Sequence, residues 1–268
     1  MLNALSNESL KLKAYLDDIV SRLNSLDFIE LDPISIPHGY TASQDIEIAG
    51  FFSAILAWGN RKTIIMKSKE LMTMMDNAPY DFIKNHTEQD RKALLDFKHR
   101  TFQATDIVYF VDFLQRHYLK HDTLEVAFHN DKTVPYDQEA ALIRFHHYFF
   151  DNEFAPLRTR KHIATPAKNA TCKRLNMYLR WMVRHDHNKV DFGLWKTIPM
   201  SGLMIPLDVH VERYARKFGL ITRKQRDWQT VKELTNNLLL FDCEDPVKYD
   251  YALFGLGVAN EDYLGAPF

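Results

Sequence analysis

Apolar residues recur at helical spacing through most of this chain, and this periodicity is the feature that most limits the folds it can adopt. The segment from residue 43 to Gly59 is apolar on nearly every side, which predicts a helix at the centre of a core. Other periodic segments are amphipathic. One near the N-terminus has an apolar stripe of Leu12, Leu16, Ile19 and Leu23. Another, further along the chain, has a stripe of Leu175, Tyr178, Leu179, Met182 and Val183. We therefore predict an all-α fold.

Length and composition are those of an ordinary globular protein. The 268 residues can form one large domain or two lobes, and 46% of them are hydrophobic and 26% charged. No apolar run approaches the roughly 18 residues of a membrane-spanning helix. Charged residues scattered along the N-terminal segment do not fit a signal peptide. We expect a cytoplasmic protein that does not associate with a membrane.

Cysteine and histidine usage does not indicate a metal site. Cys172 and Cys243 are the two cysteines of the chain, too few to ligate an iron–sulfur cluster or to form a disulfide framework. None of the 12 histidines stands in a metal-binding motif. We expect neither a metal ion nor another cofactor.

Charge is distributed unevenly along the chain. Between Pro156 and Trp228 there are 16 Lys and Arg against 5 Asp and Glu, a net charge of +11 in a chain whose total is −1. Such a basic block can be a solvated face, but it also suits a polyanion, and nucleic acid is the natural candidate. The cations that we consider as DNA contacts are Arg158, Arg160, Lys161, Lys168, Arg174, Arg180 and Arg184.

The stretch from Ile205 to Gly219 predicts a helix with a defined start and stop. Asp208 suits the N-cap, because its carboxylate can accept from the free N–H groups of the first turn. Gly219 suits the position that follows the last turn. Asp208 has two interpretations. It is a helix cap alone, or it is a cap whose carboxylate also faces a cleft and takes part in chemistry.

A second helix, predicted from Thr171 to Arg184, begins inside the basic block. Its N-terminus carries unpaired N–H groups and the positive end of the helix dipole, with Lys168 nearby, so it can seat a phosphate. Lys173 lies in its first turn. On this pattern alone Lys173 is an ordinary solvated lysine.

The residues around Asp208 resemble a known superfamily. Pro206-Leu207-Asp208-Val209-His210-Val211, followed by Arg213, is similar to the Val-Asp-Thr/Val-His segment of helix-hairpin-helix DNA glycosylases, which include endonuclease-III-like and 8-oxoguanine glycosylases. Within that resemblance the helix from Thr171 resembles the second helix of the hairpin, and Lys173 falls where lyase-type members carry their nucleophile. The segments 48–61 and 249–257 resemble the early core helix and the C-terminal helix.

The whole chain also resembles an uncharacterised bacterial family related to that superfamily. The residues that carry this likeness are Asp32-Pro33, Pro37-His38, Asp45-Ile46-Glu47, Ala57 to Lys62, Pro206-Leu207-Asp208 and Asp245 to Asp250. Two departures stand out. The hairpin turn, residues 166–171, has no glycine, and Asp208 follows Arg184 by 24 residues, a longer interval than most members have. Both features are nearer to the archaeal 8-oxoguanine glycosylases.

The resemblance implies a two-lobed helical DNA-glycosylase-like fold with a central cleft. One lobe would span about 45–205 and the other 1–44 with 206–268. It implies base excision on double-stranded or damaged DNA, in which Lys173 attacks C1′ of a flipped nucleotide to form a Schiff base and Asp208 stabilises positive charge on the sugar. Candidates for lining the base pocket are Trp58, Asn60, Arg61, Phe192, Trp195, His38 and His210.

Two other functions fit the same sequence. The chain can be a non-catalytic nucleic-acid-binding protein of this fold, or an interaction protein whose basic block meets an acidic partner. The sequence predicts no particular protein partner.

Overall fold

The computed structural model describes residues 5–129, 131 and 133–258. The described residues fold into α-helices and short 3-10 helices without a β-strand, so the all-α prediction is confirmed. None of the described helices is long and apolar enough to cross a membrane. The α-helices, numbered α1 to α13 in chain order, are Asn7–Leu23, Leu26–Glu30, Ser43–Leu56, Arg61–Met74, Pro79–Asn85, Glu88–Ala93, Ala104–Tyr118, Glu125–Phe128, Gln138–Phe149, Lys173–Val183, Val209–Lys217, Trp228–Leu239 and Tyr249–Val258.

The chain divides into two compact units. Among the described residues, unit 1 comprises 5–28, 166–193 and 198–258, and unit 2 comprises 29–165 and 194–197. This division differs from the lobes expected from the sequence, because α10 belongs with the chain ends rather than with the middle of the chain. The reason is chemical, since Arg180 of α10 and Arg184, which follows its last residue, form buried ion pairs with Asp250 of α13 and with Asp245 shortly before it.

Helix α3 is the centre of unit 2, as its apolar sequence predicts. Every residue from Ile46 to Leu56 is buried. The rings of Phe51 and Phe52 lie 5.7 and 6.1 Å from that of Phe110 on α7, and aromatic pairs of this kind stabilise a core beyond the area they bury. The helix ends at Leu56, and Gly59 takes a positive φ of 106° in the corner that leads to α4.

One buried carboxylate lies within this apolar helix. Glu47 is 2% exposed and accepts hydrogen bonds from the Tyr118 hydroxyl (2.7 Å), the Leu124 N–H (3.0 Å), the Trp195 indole N–H (2.6 Å) and the Thr123 hydroxyl. Burial raises its pKa. These donors satisfy the carboxylate and fix residues 194–197 within unit 2.

Unit 1 is built around α13, which packs against α1 and α11. The hydroxyl of Tyr249 on α13 donates to Asp17 Oδ1 on α1 at 2.9 Å. The ring of His210 on α11 bonds Gly257 O at 2.8 Å. These contacts join the first and last helices of the described chain into one body.

Candidate functional site

Lys173 is the first residue of α10, and the turn before it has an unusual backbone. Asn169 and Cys172 have φ values of +56° and +52°, in the left-handed region that glycine usually occupies. The turn therefore adopts left-handed geometry without a glycine, at a cost of roughly 1 kcal/mol for each such residue. Asn169 compensates through two bonds to the start of α12. Its backbone O accepts from Trp228 N at 3.2 Å, and its side-chain N donates to Asp227 at 3.2 Å.

Asp208 is the N-cap of α11, as predicted. Its Oδ1 accepts from the backbone N–H groups of His210 at 2.9 Å and Val211 at 3.0 Å. Both bonds go to the same oxygen, so the cap engages one side of a half-buried carboxylate.

A buried amide connects the start of α10 to the segment that leads to Asp208. Asn176, one turn after Lys173, is 1% exposed. Its side-chain N lies 3.2 Å from Thr171 O and 3.3 Å from Ile205 O. These bonds hold the first turn of α10 against the chain three residues before Asp208.

The third ionisable group of this region is Asp250, in the first turn of α13. It is 6% exposed and accepts from a guanidinium nitrogen of Arg180. Burial raises the pKa of Asp250 to about 7, against the attraction of Arg180. The negative charge of Asp208 also raises this pKa, and the positive charge of Lys173 lowers it. We call Lys173, Asp208 and Asp250 the unit 1 charge cluster. No local pattern predicts a role for Asp250, since an isolated aspartate after Pro246 carries no local signal of burial.

Arg180 and Arg184 were predicted to contact DNA, and the structure shows that this is wrong. The two residues are 3% and 2% exposed. Besides its bond to Asp250, Arg180 lies 3.3 Å from Asp191. The ion pairs of Arg184 are to Asp186 (2.7 Å), Asp191 (3.0 Å) and Asp245 (2.9 Å). Their guanidinium groups are directed inward, so they hold unit 1 together and do not reach a phosphate.

The remaining predicted DNA contacts differ in their surroundings. Arg158 forms an ion pair with the buried Asp106 and also donates to Thr101 O at 3.1 Å. Arg160 is half-buried, with its guanidinium 4.8 Å from the centre of the Phe150 ring. Burial lowers the pKa of Arg174 to about 10. Lys161 and Lys168 are exposed.

Trp195, a predicted pocket residue, is a core residue instead. It is 2% exposed, its ring packs 5.5 Å from that of Phe128, and its N–H donates to Glu47. The prediction that Trp195 lines a base pocket is therefore wrong, because a buried and hydrogen-bonded indole cannot stack on a base.

The other pocket candidates are divided between the two units. In unit 2, Asn60 caps α4 through a 3.2 Å bond from Thr63 N, and the ring of Trp58 lies 4.9 Å from the guanidinium of Arg100. His38 and Arg61 are half-buried in unit 2. Phe192 and His210 are half-buried in unit 1.

These observations define a class: an all-α protein with a cluster of charged groups at the starts of three helices. Residues 32–259 match the model of the family described as Protein of unknown function (DUF2400), and the chain belongs to that family. No curated protein and no solved structure matches the chain.

Proposed function

We propose that this protein is a DNA base-excision glycosylase with lyase activity, related to the helix-hairpin-helix glycosylases and sharing their two-lobed layout with a central cleft. The observation that carries the proposal is the unit 1 charge cluster, in which the charges of Lys173 on α10 and of Asp208, the N-cap of α11, both act on the buried Asp250 of α13. Titratable groups with strongly shifted pKa values are more frequent at functional sites than elsewhere.

In this mechanism Lys173 is the nucleophile. The damaged nucleotide leaves the helix stack, at a cost of a few kcal/mol. The uncharged amine forms a bond to C1′, and the bond from C1′ to the base breaks, so that the base leaves with the electron pair and takes up a proton. Opening of the sugar ring then gives the Schiff base. The carboxylate of Asp208 stabilises the positive charge that develops on the sugar.

Asp250 influences Lys173 through its charge. An amine must lose its proton before it attacks, and the charge of a neighbouring carboxyl shifts the equilibrium between the two protonation states of the amine. The charges of Lys173 and Asp250 act on each other, and the pKa of Asp250, about 7, means that this carboxyl changes its charge near neutral pH. Asp250 acts through Lys173 and is therefore a positioning residue.

Borohydride trapping tests the proposal. The full chain is incubated with duplexes that carry an oxidised, alkylated or deaminated base, and the reductant converts a Schiff base into a stable adduct. We expect an adduct with the wild type and with Lys224→Gln, an exposed lysine of unit 1. Lys173→Gln should give none. An adduct of equal yield with Lys173→Gln contradicts the proposal.

Asp208→Asn distinguishes the role of Asp208 as the cap of α11 from its proposed role in the reaction. Asparagine caps helices about as well as aspartate, so this variant should unfold within about 0.5 kcal/mol of the wild type. It lacks the negative charge, so the trapping rate should fall at least about a hundredfold. Asp208→Ala should lose both the activity and about 1 kcal/mol of stability. A fully active Asp208→Asn variant would leave Asp208 as a cap alone.

The same experiments distinguish the alternatives. Salt-dependent binding to duplex DNA without trapping or base release indicates a non-catalytic nucleic-acid-binding protein. No binding at low salt indicates an interaction protein.

A further inference from the structure

Unit 2 contains a pocket to which the proposed function assigns no role. It has a volume of about 190 Å³ and is lined by His117, His121, Val126, Ala127, Arg144 and Tyr148. These residues come from α7, α8, α9 and the segment between α7 and α8, and we call the site the α7–α9 pocket. Sites for drug-sized molecules measure about 300 Å³ or more, so this one suits a small ligand.

The floor of the pocket is a fixed hydrogen-bond chain. His117 Nε2 lies 2.9 Å from Thr123 O, so this nitrogen carries the hydrogen and donates it to the carbonyl. His117 Nδ1 lies 3.0 Å from the Tyr148 hydroxyl and therefore accepts from it. Burial lowers the pKa of His117 to about 4, so the ring stays neutral at physiological pH and the arrangement persists.

This chain determines what Tyr148 offers to a ligand. Its hydrogen is directed to His117, so its oxygen presents lone pairs to the pocket and can accept a hydrogen bond. A matching ligand therefore carries a hydroxyl or amine donor.

The charged lining residue is a cation. Arg144 is exposed, and its bond to Phe128 O is long, at 3.4 Å, which leaves most of its five donor hydrogens for a ligand. No carboxylate lines the pocket among the residues described. The acid of α8, Glu125, directs its carboxylate to the N–H and hydroxyl of Thr197 at 2.6 and 2.8 Å. An arginine can donate two parallel hydrogen bonds to two oxygens of a phosphate, and the ring of His121 can donate another to the same ligand.

We propose that the α7–α9 pocket binds hydrogen phosphate or a small hydroxyl-bearing phosphate monoester, with Arg144 and His121 on the ionised oxygens. Tyr148 accepts from the hydroxyl of hydrogen phosphate or from a hydroxyl on the alcohol part of the ester. Sulfate matches the charge but has no hydroxyl at neutral pH, so the pocket discriminates against it. The proposal does not depend on the DNA glycosylase activity.

Isothermal titration of the full chain tests the pocket, with inorganic phosphate, glycerol phosphate and sulfate as separate probes. We expect saturable binding of one phosphate, at least about tenfold weaker in Arg144→Met, since hydrogen bonds to charged groups contribute about 1.5–3 kcal/mol. Lys98→Met, an exposed cation of the same unit, should bind as the wild type does. Tighter binding of glycerol phosphate than of the free ion assigns the site to a monoester, and the reverse assigns it to inorganic phosphate.

Tyr148→Phe tests the specificity. It removes the acceptor, so the preference for phosphate over sulfate should disappear while sulfate binding is retained. Circular dichroism without ligand checks that each variant folds. Unchanged phosphate binding in Arg144→Met, or equal binding of sulfate and phosphate by the wild type, would overturn the proposal.

Discussion

Asp250 illustrates how burial changes the chemistry of a single residue. The carboxyl is enclosed by α10, α11 and α13, and its neighbours are Arg180, Lys173, Asp191 and Asp208. Other titratable groups lie nearby in unit 1, with Asp17 of α1 bonded to Tyr249 and His210 of α11 bonded to Gly257 O. Desolvation dominates this environment, so the folded protein retains the proton of Asp250 to a higher pH than the unfolded chain does.

The first prediction concerns pH and stability. The pKa of Asp250 rises from 3.8 to about 7 on folding, so its stabilising effect is complete below the lower value and is lost as the pH rises through the upper one. Asp250→Asn keeps a neutral side chain at every pH. The free energy of unfolding of the wild type, relative to this variant, should therefore fall between about pH 5 and about pH 8. Urea unfolding at both values measures the difference. A difference that does not change with pH would contradict the raised pKa.

At the scale of the element, α10 shows that a basic helix need not be a binding surface. Nine consecutive residues, from Leu175 to Val183, are buried. Arg180 and Arg184, at the end of the helix and just after it, bond to aspartates of the 186–191 loop and of the 245–250 segment. Tyr251 completes this network, since its hydroxyl donates to Asp191 at 2.9 Å and its ring lies 4.6 Å from the guanidinium of Arg180.

The second prediction is that Arg184 is structural. Arg184→Met leaves Asp186 and Asp245 without their cation and Asp191 with Arg180 alone, and breaking a buried pair in this way costs about 3–5 kcal/mol. Arg213→Met removes an exposed arginine of α11 and should change the free energy of unfolding by less than about 0.5 kcal/mol. Chemical denaturation of both variants makes the comparison. Equal stability of the two would mean that the Arg184 ion pairs do not support the fold.

For the whole molecule, the charge of the basic block is smaller at the surface than the sequence implies. The ion pairs seen in the described part of the chain include six cations of the block, and three of the carboxylates involved, Asp106, Asp245 and Asp250, lie outside the block. The paired cations are Arg158, Arg180, Arg184, Arg216, Arg223 and Arg226. The three outside carboxylates offset part of the net charge of +11, and the cations that are paired within the structure are less available to a polyanion.

The third prediction follows for DNA binding under the proposed function. The logarithm of the affinity falls with the logarithm of salt concentration by about 0.9 per phosphate contact. Replacing the exposed Lys161 and Lys168 by methionine should therefore reduce the slope by about 1.8. Arg226→Met should leave it unchanged, because Arg226 is held in an ion pair with Glu212 rather than by a phosphate. Fluorescence anisotropy at several salt concentrations gives the slopes. A larger effect of Arg226→Met than of the double variant would contradict the assignment.

Local patterns were sufficient for the helices and their caps. The apolar surface of α3, the stripe of α10 and the cap at Asp208 depend on residues a few positions apart, which interact by the geometry of the helix itself. The C-terminal helix that the resemblance implied at 249–257 is present as Tyr249–Val258.

The sequence alone thus determined that the chain is helical, where most helices lie and which residue starts α11. The tertiary structure decided that Arg180, Arg184 and Trp195 face inward, that Asp250 joins Lys173 and Asp208, and that α10 belongs to unit 1. The physical reason is that helix formation depends on neighbours along the chain. Whether a cation meets water or a carboxylate depends on residues far away in sequence, such as Arg180 and Asp250, that only folding brings together.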